Sequence, residues 1–169
     1  MINLATSSAS ALNAQPIRST QPAPLKPTAA TRATRKRASA SATAALEKSV
    51  FRQINRYRQQ QGLAALSTNS SITRQARRHS QDMANSGDIS HDGFEGRVKT
   101  IGKTIRYRSA AENVAYNFGF ESPGAQAVTG WLNSPGHLDN IVGNFNLTGI
   151  GVAKNSRGEY YFTQIFIKR

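Results

Sequence analysis

Apolar residues show no helical or strand period before residue 45, and from there they do. Leu46, Val50, Ile54 and Tyr57 return every three or four positions, and Gly62 follows, which predicts a first helix with a glycine stop. Ile72, Ala76, His79, Ser80 and Met83 repeat the period up to Gly87 and predict a second. Phe94, Val98 and Ile101 predict a short third over 94–101. Ser122-Pro123 opens another, with Ala127, Val128 and Trp131 on one face until Pro135, because proline suits the first helical position, where no N–H is needed. The end of the chain changes character. Leu147, Ile150 and Val152, then Tyr161 to Ile167, are β-branched and aromatic around Asn155-Ser156-Arg157-Gly158, a hairpin signal. Helices first and strands last predict an α+β class with an antiparallel sheet.

Residues 1–44 are dominated by Ala, Ser, Thr and Pro, without an aromatic residue or an acid. Such a composition buries too little apolar surface to offset the entropy of ordering, so 1–44 is expected to be a disordered basic tail and 45–169 the domain. The whole chain has 169 residues and a formal net charge of +13. The tail holds 6 of the 22 basic residues. Arg35-Lys36-Arg37 reads as a solvated linker or as a contact for an anionic surface, and weak, non-specific binding of polyanions is expected from the charge alone. No nucleic-acid-binding motif accompanies it. The chain has no cysteine, which excludes disulfides, thiolate metal sites and a cysteine nucleophile. No apolar run reaches the ~18 residues of a membrane-spanning helix, and no signal-peptide pattern of a basic start and an apolar run is visible.

Three histidines can be weighed singly. His79 lies on the apolar face of the second helix and reads as a buried, hydrogen-bonded core residue. His91, in Ser90-His91-Asp92-Gly93, sits in a loop free to face a cleft. His137, in Ser134-Pro135-Gly136-His137, stands where one helix stops and another starts. Glu112 is a carboxylate among small and apolar residues, held either by backbone N–H groups or beside a histidine. Ser134 is the nearest candidate nucleophile, but Asn-Ser-Pro-Gly reads first as a helix-ending turn with serine as a cap.

In order along the chain stand His79-Ser80-x-x-Met83-Ala84, Ser90-His91-x-Gly93 and Ala111-Glu112-Asn113-Val114-Ala115. Trp131-Leu132-Asn133-Ser134-Pro135-Gly136-His137-x-x-Asn140-Ile141, Gly149-Ile150-Gly151-Val152 and Tyr160-Tyr161-Phe162-Thr163-Gln164 follow. Together they resemble the bacterial branch of the CAP superfamily, the SCP domain of cysteine-rich secretory, antigen 5 and pathogenesis-related 1 proteins. The resemblance spans about 45–169. It implies a three-layer α–β–α sandwich with a central antiparallel sheet and a cleft. In the eukaryotic branch two histidines and two glutamates in that cleft can bind a divalent metal. By the same motifs His91 matches the first histidine and Glu112 the first glutamate, while Ser134 and Tyr161 occupy the other two places. His137 is the candidate for the missing imidazole.

The cleft set implied by the resemblance is therefore His91, Glu112, Ser134, His137 and Tyr161. Three chemistries are open to it: a weak metal site of His91, Glu112 and His137, for zinc or another divalent ion; a carboxylate that orients a histidine; or hydrogen bonds that tie loops to the sheet. The expected function is a non-enzymatic extracellular or cell-envelope binding module whose cleft takes a small molecule, lipid or sterol, cell-wall component or protein. The alternatives are a metal-dependent hydrolase or protease in the same cleft, and a non-specific polyanion or nucleic-acid binder.

Overall fold

The computed structural model describes residues 28–169. The first element, α1 (Ala29–Gln60), starts sixteen residues before the expected boundary. Its capping residue is Thr28, whose hydroxyl accepts from the Thr31 N–H at 3.3 Å. The expectation of disorder thus fails for residues 29–44, while residues 1–27 lie outside the described part. Burial was the wrong criterion for that segment. Seven alanines and four basic residues of good helix propensity follow the last tail proline, and they extend a helix that is already docked through Glu47, Val50, Ile54 and Arg58. Extension avoids the cost of nucleation. Residues 28–42 are exposed. A chain lacking residues 1–44 is therefore expected to lose helical ellipticity in circular dichroism, with its thermal midpoint within about two degrees of the full chain.

Three other helices fall where the periodicity puts them, α2 (Ser70–Ser86), α3 (Phe94–Gly102) and α4 (Pro123–Leu132), and α5 (Pro135–Val142) starts at the junction that holds His137. Asn69 caps α2 by accepting from the N–H groups of Ser71 and Ile72, and Gly87 ends it in the left-handed conformation at φ 85°. The hairpin of β3 (Leu147–Lys154) and β4 (Tyr160–Lys168) forms around the expected turn. Asn155 Oδ1 fixes that turn by accepting from the Arg157 and Glu159 N–H groups. Two strands went unforeseen, β1 (Ser67–Thr68) and β2 (Ser109–Asn117).

The sheet order is β1-β3-β4-β2. Its three long strands are antiparallel, and β1 adds a parallel edge of two residues. Helices cover both faces, giving an α–β–α sandwich. On one side Val50 and Ile54 of α1 and Val128 and Trp131 of α4 pack on Phe162 and Phe166. On the other, Ile72 and Ala76 of α2 and Ile101 of α3 pack on Ile165 and Ile167. Alternate residues of β4 thus serve opposite layers, which is why it is apolar along nearly its whole length. Helix α2 rests directly on β3: a Cβ at Gly149 or Gly151 would collide with α2 backbone at Ile72–Thr73 or Ala76–Arg77.

Arg58 is buried without a carboxylate. Its guanidinium donates to the carbonyls of Ala64, Ile141, Gly143 and Phe145, so one side chain from α1 closes the C-terminal end of α5. On the open side of the sheet, the outer strand β2 has its Val114 carbonyl met by Trp131 Nε1 at 2.9 Å and its Glu112 carbonyl met by Asn140 Nδ2 at 3.4 Å.

Candidate functional site

Strand β2 divides the candidate residues between its two faces. Glu112 pairs across with Ile165 and Val114 with Thr163, so both side chains face the α2–α3 layer, while Asn113 and Ala115 face α4 and α5.

On the α2–α3 face, the Glu112 side chain is 1% exposed, and every strong partner it has is cationic or imidazole. His91 Nδ1 lies 3.0 Å from Oε1. Arg97, on α3, donates through Nη2 to Oε1 at 2.7 Å and through Nε to Oε2 at 3.0 Å, a two-pronged clamp on the carboxylate. Arg97 Nη1 also reaches the Asp92 carbonyl at 2.6 Å and His79 Nδ1 at 3.1 Å. His79 Nε2 is 2.8 Å from the Ser90 carbonyl. Because a carbonyl only accepts and a guanidinium only donates, His79 is the neutral tautomer with its proton on Nε2. Burial lowers its pKa, which agrees with that tautomer. It is the core histidine its helical position predicted.

The pH consequence has a definite sign. Burial first, and the field of His91 second, also lower the pKa of His137. For both histidines the folded pKa lies below the unfolded value of about 6.5. Stability from keeping them neutral is full above that pH and is lost as the pH falls through the folded values. The thermal midpoint is expected to drop on acidification from pH 7 to 5, and His79→Gln to flatten part of that slope, as measured by melts in matched buffers.

On the other face lies an open groove of about 430 Å³, walled by Ala115, Trp131, Ser134 and His137 and rimmed by Phe118 and Phe120. Ser134 occupies the cap position of α5, yet its hydroxyl does not cap. It lies 2.8 Å from His137 Nδ1 instead. A short polar bridge joins the two faces: Asn113 donates to the His137 carbonyl and accepts from Asn140, which also reaches the Glu112 carbonyl.

The structure thus brings His91 and Glu112 into contact and sets Ser134 against His137, with His91 near enough for its field to reach the His137 imidazole. Tyr161 belongs to neither group. It is 1% exposed, packed with Met83, Ala84, Val114 and Ala153, and its ring lies 5.2 Å from that of Tyr116. The proposed metal set of His91, Glu112 and His137 does not assemble, and among the described residues no three His, Cys, Asp or Glu side chains come together to hold an ion. Both carboxylate oxygens are taken up by a guanidinium, so a cation would first have to displace Arg97, and the residues present do not fit a metal.

Sequence reasoning missed Arg97, which organises the buried half of the site, as well as the aromatic rim. Arg97 follows Phe94 by three positions on a predicted helix, but so do many surface arginines. Only the carboxylate facing it across the fold distinguishes this one.

The family model described as CAP, cysteine-rich secretory protein family, matches residues 51–166. The chain is 37% identical over 133 residues to the uncharacterized protein YkwD of Bacillus subtilis, covering 75% of this chain and 49% of that one. It is 35% identical to the uncharacterized membrane protein YlbC of the same organism, covering 73% of this chain and 34% of the relative. The chain therefore spans half or less of these relatives' length. Among solved structures it superposes on an extracellular SCP-domain protein of Bacillus anthracis with a TM-score of 0.65 and 29% identity, over 75% of this chain and 41% of that one. An outer surface protein of Borrelia burgdorferi gives a TM-score of 0.66 at 21% identity, over 75% and 95%, a likeness of fold.

Proposed function

This chain belongs to the CAP family, and from that premise we propose that it is a binding module of the cell envelope or extracellular space, with its ligand in the groove beside β2. The observation that carries the reading is the makeup of that groove. Phe118 and Phe120 expose 59% and 50% of their surface, a concentration of aromatic area at one rim of the groove. Beneath them lie the hydroxyl of Ser134, the imidazole of His137 and Asn117, whose Nδ2 donates to the Pro123 carbonyl while its buried Oδ1 has no protein partner. Flat apolar platforms beside hydroxyl and amide groups suit a ligand with one apolar face and several hydroxyls, and of the ligand classes expected for the cleft a cell-wall glycan matches best. An extracellular or envelope setting is supported by the extracellular SCP-domain protein of Bacillus anthracis, 29% identical. Among the described residues no helix is long and apolar enough to cross a membrane.

The test is a titration of isotope-labelled protein with soluble peptidoglycan glycan fragments, followed by NMR. Shifts should concentrate at Trp131 Nε1–H and the Phe118–Phe120 segment, and Phe118→Ala with Phe120→Ala should weaken binding at least about tenfold, since each ring supplies on the order of 1 kcal/mol of contact. Fragments that leave those signals unmoved at millimolar concentration sink the reading.

Hydrolysis is the second reading, supported by the 2.8 Å contact of Ser134 with a His137 held neutral by burial, a nucleophile–base arrangement. Labelling of Ser134 by a fluorophosphonate probe, abolished in His137→Gln, would favour it over simple binding.

A further inference from the structure

Away from the cleft, the exposed half of α1 runs beside the end of the β3–β4 hairpin and leaves two adjoining grooves of about 450 and 440 Å³. Arg32, Arg35 and Lys36 line them from the helix and Lys154 from the hairpin. Residues 32, 35, 36, 39 and 43 recur at helical spacing, so the helix turns one basic, hydroxyl-bearing stripe towards the strand. None of the four cations has an ion-pair partner among the described residues, whereas the neighbouring Arg157 is engaged by Glu159. No carboxylate lines either groove among the described residues. Two separate elements therefore bring like charges together without compensation, an arrangement that attracts and concentrates anions.

We propose that these grooves bind a thin, linear phosphodiester chain of polyol phosphates, through its phosphates alone. Two observations select that ligand among polyanions. The Tyr160 ring, the one aromatic lining the grooves among the described residues, is covered by Lys154 Nζ at 4.8 Å, so unstacked bases find no platform. The stripe on α1 is Ala, Ser, Thr, Arg and Lys without a large apolar residue, so it has nothing to insert into a bilayer. Ser39 and Ser156 add hydroxyl donors along the path. This site lies outside the 51–166 family match on its helical side, and its hairpin side adjoins the aromatic rim at Phe118.

The test uses the full chain and a synthetic poly(glycerol phosphate), with a 20-base-pair DNA duplex, a single-stranded oligonucleotide and phosphatidylglycerol vesicles as competing arms, read by isothermal titration at two salt concentrations. The polymer should bind most tightly, and raising salt from 50 to 200 mM should weaken it by up to about fiftyfold, the limit for four neutralised phosphates at single-strand charge density. Arg32→Gln with Arg35→Gln and Lys36→Gln should cost about tenfold or more at 50 mM salt; glutamine keeps the helix, which circular dichroism verifies. Lys154→Gln, on the hairpin, should weaken binding independently of the helix. Arg106→Gln, which removes an exposed cation outside both grooves, should cost less than about threefold. Tighter binding of duplex, oligonucleotide or vesicles, full affinity in both charge variants, or an equal loss in Arg106→Gln would each overturn the proposal.

Discussion

Replacing Arg97 with methionine lowers the unfolding free energy by about 3–5 kcal/mol, the usual cost of removing one partner from a buried charge pair. The size of the effect follows from Glu112, whose buried carboxylate keeps only imidazole neighbours once the guanidinium is gone. The same side chain also holds His79 Nδ1 and the Asp92 carbonyl, so the loop carrying His91 loosens with it. Urea titrations of Arg97→Met, Glu112→Gln and the double variant measure the coupling. The double variant is expected to recover much of the loss, because a neutral amide no longer demands a cation. A second readout separates charge from packing. With Arg97→Ala the carboxylate, His91 and His79 are left without their fixed cation, and zinc affinity should rise above that of the unaltered chain. A single variant costing under about 1 kcal/mol would show that the clamp is ornamental.

Gly151→Ala is the other severe change. Its β-carbon would meet the main chain of α2 at Ala76–Arg77, where no side-chain rotation relieves the clash. Either α2 lifts from the sheet or β3 bends, at a cost of about 1–3 kcal/mol or more. Since Ser80 on α2 also donates to the Gly151 carbonyl at 2.9 Å, lifting the helix breaks a buried hydrogen bond as well. Gly136→Ala, with open space around its β-carbon, is the matched control and should leave the melting curve nearly unchanged.

Elements whose partner is a solvent-to-core gradient were legible in the residues: α2 and α4 by their period, and the last hairpin by its β-branched strands and Asn155 turn. β2 was not. Its inward positions alternate Ala111, Asn113, Ala115 and Asn117 against Ala110, Glu112, Val114 and Tyr116, so small and polar side chains are buried by neighbours rather than by their own hydrophobicity. The start of α1 escaped notice because helical propensity, not burial, carries it. At the site, His91 and Glu112 were legible as a set only through the motifs that resemble the CAP superfamily, since 21 residues and the whole of α3 separate them. Other features were not legible: neither the turning of Tyr161 into the core nor the closure of Arg97 onto a carboxylate fifteen residues away leaves a mark in local spacing.

The capped carbonyls of β2 bear on how the molecule behaves in a crowd. An open sheet edge invites pairing with the edge of another chain, and from there aggregation. Here the outer strand has two of its carbonyls occupied by the Trp131 indole and the Asn140 amide, and at the opposite margin β3 is covered by β1 at Leu147 and Thr148 and by the Glu47 carboxylate at the Val152 N–H. Neither margin offers a long uninterrupted ladder. Many copies held close together on a surface can therefore remain separate particles, with their exposed aromatic rims left for a ligand instead of for one another.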